Sequence, residues 1–273
     1  MPPLSSLATL RAARGAAKRA ALGPWWWATK RRVLLTSVPK CGTHLLRRLL
    51  NVIAIPARRE VEWDITPEDL DAALRERRGS AVVGHVLARP EIRRFVADTR
   101  TRVLFIYRDP RDQVVSHLFH FRRDRKHPLH PLFRDELGDD DAALLAVIRG
   151  VRVSETAHVP RVDLLYGGFL EWLDDPSVCW STFERLIGPR GGGSVDDQLR
   201  EVRALLRHLG FPLASPAIVR MVARRVFDPG SPTFRIGQIG SWRKYFGPQH
   251  CTAFKEVAGQ LLIDLGYERS LDW

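Results

Sequence analysis

Two short apolar runs that break directly into helical patterns restrict the folds open to this chain. They are RVLLTSV at 32–38, followed by PKCG and THLLRRLL, and RVLFIYR at 102–108, followed by DPRD and QVVSHLFHF. Each run is too short for a helix and too uniformly apolar for a strand with one wet face, so each predicts a strand buried on both sides. The alternation continues along the chain. ITPEDLDAALRER reads as a capped helix, AVVGH (81–85) as a short buried strand, and PEIRRFVADT, DDAALLAVIRG and VDLLYGGFLEWL as helical segments, with a loop between the last two. SVCWSTF is a further strand and DDQLREVRALLRHLG a further helix. Strands separated by helices predict an α/β fold, a central parallel β-sheet flanked by helices on both faces. Ligand chemistry in such a sheet gathers at the carboxyl ends of the strands.

A chain of 273 residues with 45% hydrophobic content suits one large domain. The boundary falls early: residues 1–31 form a basic N-terminal helical leader with a Trp25-Trp26-Trp27 cluster, and residues 32–273 form the domain. The net charge is +12, but Met1 to Arg32 contributes seven bases and no acid, which leaves +5 for the rest. That surplus suits a small anionic ligand as well as nucleic acid. The leader has three open readings: a helix packed on the domain, a peripheral membrane contact made by its basic face and tryptophans, or a transit-like extension. Cys41, Cys179 and Cys251 are dispersed and odd in number, which indicates neither a disulfide framework nor a thiolate metal site and fits a reducing cytoplasm. No apolar run reaches the roughly 18 residues of a spanning helix.

The chemistry starts where the first strand ends. Pro39, Lys40, Cys41, Gly42, Thr43 and His44 form a tight turn before a helix, so free N–H groups, a positive dipole end and a lysine meet at one place. The loop is not a Walker A motif, because GxxxxGK[ST] is absent and the lysine precedes the glycine. From these residues alone, an anion cradle and a generic turn with a surface lysine stay equally open. The strand VLFIYR then ends in Arg108 and leads to a helix carrying Ser116, a cation and a hydroxyl able to converge on a second phosphate. Two cradles on one sheet suggest a nucleotide charged at both ends of its ribose.

PKCGTHLL (39–46) resembles the first signature of the sulfotransferases that use 3′-phosphoadenosine 5′-phosphosulfate (PAPS), whose usual form is PKSGTTWL. YRDPRDQVVSHLFHF (107–121) resembles their 3′-phosphate signature, and FRIGQIGSWRKYF (234–246) their late RKGxxGDWKNxF loop, in the right order over most of the chain after the leader. The resemblance implies a P-loop NTPase-like sulfotransferase fold. It also implies sulfuryl transfer from PAPS to a hydroxyl, or less favourably an amine, without a metal. Carried over by position, Lys40 contacts the phosphosulfate, Gly42 and Thr43 cradle the 5′-phosphate with Cys41 as a wall and His44 at a position facing it, and Leu45 stands where the family stacks a tryptophan on adenine. Arg108, Ser116, Arg235 and Gly237 hold the 3′-phosphate, and Phe183 lies at the adenine. His85, at the end of AVVGH where the family has its base, is the expected proton acceptor. Cys41, His44, Leu45, Phe183 and Ile236 depart from the family's residues and imply weaker adenine stacking and a less charged 3′-phosphate site.

Other features have plainer readings. His117-x-x-His120 and His127-x-x-His130 have a metal-like spacing, but the first pair sits in the 3′-phosphate signature and the second among prolines, so no metal is expected. Arg122, Arg123, Arg125 and Lys126 read as a solvated face or a substrate gate, and no nucleic acid is expected without aromatic platforms. GPRGGGS (188–194) reads as a surface turn. The segments 55–80 and 122–175 are the expected acceptor pocket, carrying Trp63, Phe133, Tyr166, Phe169 and Trp172, which suits a small-molecule, lipid-like or carbohydrate alcohol. The family also includes homodimers, but no dimer segment is legible here. Two rivals stay open: a kinase-like phosphoryl-transferase, and a non-catalytic member of the fold that binds anions or lipids.

Overall fold

The structure, a computed structural model, describes residues 32–61, 63–76, 81–155, 157–227 and 237–273. The leader with its tryptophans, and Arg235 and Ile236 of the late loop, lie outside the described residues. Five parallel strands form the main sheet: β1 (Val33–Ser37), β2 (Ala57–Val61), β3 (Ala81–Gly84), β4 (Arg102–Tyr107) and β7 (Val178–Thr182), in the order β2-β3-β1-β4-β7. β5 (Val151–Arg152) and β6 (His158–Val159) pair antiparallel in a separate hairpin.

Alternate residues of the buried strands feed two apolar layers. Leu34, Val82, Val103 and Phe105 face one layer, and Val33, Leu35, Ala81, Val83, Leu104 and Ile106 face the other. The first layer is closed by α2 (Pro67–Glu76), α3 (Pro90–Asp98), α4 (Pro110–Arg123), α5 (Asp140–Arg149), α6 (Val162–Leu170) and α10 (Pro248–Asp264). The second is closed by α1 (Thr43–Val52), α7 (Phe183–Ile187), α8 (Val195–His208) and α9 (Pro216–Val226). The expected parallel sheet with helices on both faces is therefore the one found, and its two-sided burial explains why the strands read as continuous apolar runs.

The topology brings the site together. The chain leaves β1 toward the β2 edge, returns through β3, and crosses β1 to open the other half with β4. Thr36 is in register with both Gly84 and Phe105, and Ser37 with Ile106, so the carboxyl ends of β1, β3 and β4 lie side by side at the reversal of direction.

Three sequence expectations change. β2, in the segment assigned to the acceptor pocket, is an edge strand of sequence ARREV with a register shift between Ala57 and Arg59. Its charges hid it, because an edge strand needs no continuous apolar run. The β5–β6 hairpin replaces the loop expected before α6; two residues per strand leave no periodic signal. The third change concerns the aromatics. Phe133, Tyr166, Phe169 and Trp172 are fully buried in the first apolar layer, where their large apolar surfaces stabilise the core, and only Trp63 reaches the cleft.

Candidate active site

One cleft of about 770 Å³ opens over the carboxyl ends of the strands and is lined by Lys40, Gly42, Thr43, His44, Leu45, His85, Arg108, Ser116, Phe183 and Gly237. All the sequence-predicted site residues among the described residues are on it except Cys41.

The turn after β1 is sharply bent. Lys40 has φ 65° and Gly42 φ 103°, and a Cβ at Gly42 would stand 3.0 Å from Cδ2 of Phe183. Glycine at 42 is therefore required by both backbone and space. A positive φ on a lysine is uncommon and costs on the order of 1–2 kcal/mol, sustained by the turn on either side of it. The Cys41 N–H closes a turn on the Val38 carbonyl, and the Leu45 N–H donates to Gly42 O. Thr43 and His44 head α1 with no carbonyl one turn back, which leaves their N–H groups available to an anion. Burial lowers the Lys40 pKa to about 8, with Arg123 adding to the effect.

Cys41 corrects the cradle. Its side chain turns into the core, its thiol lies 3.3 Å from the Tyr166 hydroxyl, and that hydroxyl donates to the Arg108 carbonyl at 2.8 Å. With the Tyr166 proton committed, the thiol is the donor to Tyr166. Burial pushes the Cys41 pKa up to about 12, so the helix-end position does not make it a thiolate.

His85 leaves the tip of β3 beside Lys40. Its Nδ1 lies 2.8 Å from the Ser37 carbonyl and 3.3 Å from Ser37 Oγ, which in turn lies 2.6 Å from Thr43 Oγ1. A carbonyl only accepts, so Nδ1 carries the proton and Nε2 the lone pair. Burial lowers the His85 pKa below its usual 6.5; the Ser37 carbonyl opposes this and the Lys40 charge reinforces it.

The second cradle is built around a buried carboxylate. Asp112, with no solvent exposure, accepts from Gly240 N–H (2.8 Å), Ser241 Oγ (2.8 Å) and Trp242 N–H (2.9 Å), and lies 3.2 Å from Arg108 Nη2. It ties the late loop to the start of α4. Arg108 is 6% exposed, donates from Nη2 to Gln238 O at 2.7 Å, and stacks 4.1 Å from the Phe183 ring centroid, while its buried Nε has no hydrogen-bond partner among the described residues. An unpaired guanidinium N–H in a polar cleft is the place for an anionic oxygen. The glycine turn at 188–193 is less superficial than expected: Gly191 is buried, its carbonyl accepts from Ile239 N–H, and a Cβ there would stand 2.7 Å from Gly237 O.

Sequence reasoning missed several lining residues. Arg47, Arg48, Asn51 and Glu60 flank His44, and Ile187, Val226 and Phe227 line the cleft beside Phe183. His117, His120 and His127, set aside as metal decoys, also line it. No group of three or more His, Cys, Asp or Glu side chains among the described residues could hold a metal ion. Arg122, expected on a solvated face, instead donates to the carbonyls of Phe133, Leu137, Gly138 and Asp139 and pairs with Asp140. No helix among the described residues is long and apolar enough to cross a membrane.

Solved structures with the same architecture include mouse sulfotransferase SULT7A1 complexed with PAP, at 18% identity over 87% of each chain with a TM-score of 0.62. Two complexes of retinol dehydratase score lower. One holds androsterone and inactive cofactor PAP (16% identity, 86% of this chain and 81% of that one, TM-score 0.49), the other retinol and PAP (18%, 85% and 81%, 0.45). No curated protein sequence matches the chain. The family model described as the sulfotransferase domain matches residues 30–142, a stretch holding the turn at Lys40, the tip of β3 at His85 and the second cradle to Ser116; over this stretch the chain is similar to the sulfotransferases, and it shares the fold of the solved one.

Proposed function

We propose that the chain transfers a sulfuryl group from 3′-phosphoadenosine 5′-phosphosulfate to a hydroxyl of a small-molecule acceptor. The observation that carries this reading is the pairing at adjacent strand tips of Lys40 with a His85 whose Nδ1 is committed to Ser37 O. The cleft also fits the donor's charges: α1 heads the 5′ end, and the unpartnered Nε of Arg108, with Ser116, suits the 3′-phosphate. Leu45, Phe183, Ile187, Val226 and Phe227 offer a purine an apolar slot, supporting adenine binding where the family's tryptophan is absent. The late loop supplies Gly237, and Arg235 remains part of the proposal.

The bound donor supplies an activated sulfuryl group, so the protein's work is positioning and charge neutralisation. His85 Nε2 takes the acceptor's proton as its oxygen bonds to sulfur. Lys40 meets the charge left on the bridging oxygen as the old S–O bond breaks. A hydroxyl suits this base better than an amine. The three free cysteines keep the reducing cytoplasm in the proposal.

Calorimetric titration with 3′-phosphoadenosine 5′-phosphate (PAP), beside ATP with magnesium and AMP, tests the donor. Selective binding of PAP, weakened at least tenfold in Arg108→Ala, is the expected result. Preference for ATP–magnesium would replace this reading with phosphoryl transfer, and binding of none of the three would leave a non-catalytic member of the fold.

A further inference from the structure

Two histidines outside the donor cradles have their tautomers set by the protein. Gln113 Nε2 donates to Pro39 O at 3.2 Å, which fixes the orientation of the amide because the opposite one would set two acceptors against each other. The same Nε2 lies 3.2 Å from His117 Nδ1, so that nitrogen accepts and the proton of His117 sits on Nε2. In the turn after α4, the Leu129 N–H donates to His127 Nδ1 at 3.1 Å, and His127 too carries its proton on Nε2. No described residue bonds to either Nε2, and both rings line the cleft. His85 is the opposite case, with Nε2 an acceptor. Beside it, Trp63 is 37% exposed and its ring centroid lies 5.8 Å from that of His85, held edge-on against Phe169.

The cleft thus holds one fixed acceptor, two fixed donors and a partly exposed indole. Burial keeps His117 and His127 on the neutral side of their usual titration, so they are hydrogen-bond donors without carrying charge. We infer that the acceptor is a ring polyol of the pyranose type, whose reacting hydroxyl meets His85 while neighbouring oxygens accept from His117 and His127 and the ring face lies on Trp63. A hydrophobe with one hydroxyl would leave both donors desolvated and unpaired, and a site built to hydrogen-bond rejects an analogue lacking the partner atoms. This inference rests on the sulfuryl-transfer reading for the place of the reacting hydroxyl.

The test uses the full chain saturated with PAP, whose binding is measured first in every variant. Methyl glucopyranoside and cyclohexylmethanol share a six-membered ring and a primary alcohol, and only the first has further oxygens. In NMR titrations the pyranoside should bind at least tenfold tighter. His117→Leu and His127→Leu should each weaken the pyranoside about tenfold and leave cyclohexylmethanol unchanged. His117→Gln, which keeps an N–H near the same point, should retain most of the preference. Equal or tighter binding of cyclohexylmethanol, no pyranoside binding to the PAP-saturated protein, or equal losses for both ligands would overturn the inference alone. Failure of PAP to bind the unmodified chain would remove the sulfuryl-transfer reading and this inference with it.

Discussion

At the scale of single residues, the proposed proton acceptor and its neighbouring cation titrate on opposite sides of neutrality. His85 works when neutral, and its pKa is lowered below 6.5 by burial, so kcat/KM should rise with pH only in the acid range and then level off. Lys40 works when charged, and with its pKa at about 8 the rate should fall above that pH. A pH–rate profile should therefore show a plateau around neutrality between two limbs. His85→Ala should lower kcat by about 10²–10⁴, abolish the acid limb and leave PAP affinity within about threefold. Lys40→Arg should remove the alkaline limb, since guanidinium stays charged, even though the rate itself drops. Gly42→Ala forces a side chain into φ 103° against Phe183; about 1–3 kcal/mol of stability should be lost in urea unfolding, with weaker PAP binding.

At the scale of elements, the second cradle is the meeting of α4 with the late loop. Asp112 accepts three hydrogen bonds from residues 240–242 and faces Arg108, while Arg111, one residue earlier, sits in the corner between the perpendicular Trp242 and Trp273 rings, 4.2 and 4.6 Å from their centroids, and pairs with Asp109 and Glu268. Residues 240–242 are thus held in place by protein contacts. Asp112→Asn replaces one acceptor oxygen by a donor facing N–H groups and leaves Arg108 without its counter-charge. It should cost about 3 kcal/mol in denaturant unfolding and raise the Kd for PAP at least tenfold, while Asp141→Asn, at an exposed position in the first turn of α5, should change neither. An unchanged Kd in Asp112→Asn would show that this loop does not shape the anion site.

At the scale of the whole molecule, stability comes from the two apolar layers on the faces of the sheet. Trp172 has no exposure, packs in the first layer and donates from Nε1 to the Val86 carbonyl at 3.0 Å, next to the strand end that carries His85. Trp172→Ala should cost about 3–5 kcal/mol, measured as a shift in the unfolding midpoint. Acid should weaken the fold through its buried imidazoles. Burial lowers the pKa of His208 to about 4, so between pH 6.5 and 4 the unfolded chain binds the proton more readily and stability falls with pH. Asp109 and Glu184, whose carboxyl pKa values burial raises, act in the opposite direction. The sign for His208 is therefore read from a difference: the drop in Tm from pH 7 to pH 5 should be smaller in His208→Gln than in the unmodified chain.

The four apolar strands β1, β3, β4 and β7, the helices between them and the two turns bearing Lys40 and Arg108 were legible in the sequence, because apolar period, glycine position and strand-to-helix breaks are local properties written within a few residues. His85 could be picked out only because its strand ends beside the two cradles, where the resembling family has its base. The fate of the other side chains depended on what packs against them from distant parts of the chain. Tyr166 and Trp172 carry the same aromatic character as Trp63, yet the helices of the first layer seal the first two and leave Trp63 in the cleft. Cys41 sits in the signature turn, but the Tyr166 hydroxyl draws its thiol into the core. Which ring nitrogen of His85, His117 and His127 carries a proton was decided by Ser37, Gln113 and Leu129, and two of these three contacts are set within one turn while the third spans two strands. Periodicity says that a side chain is on a face; only the packed neighbours decide what that face meets.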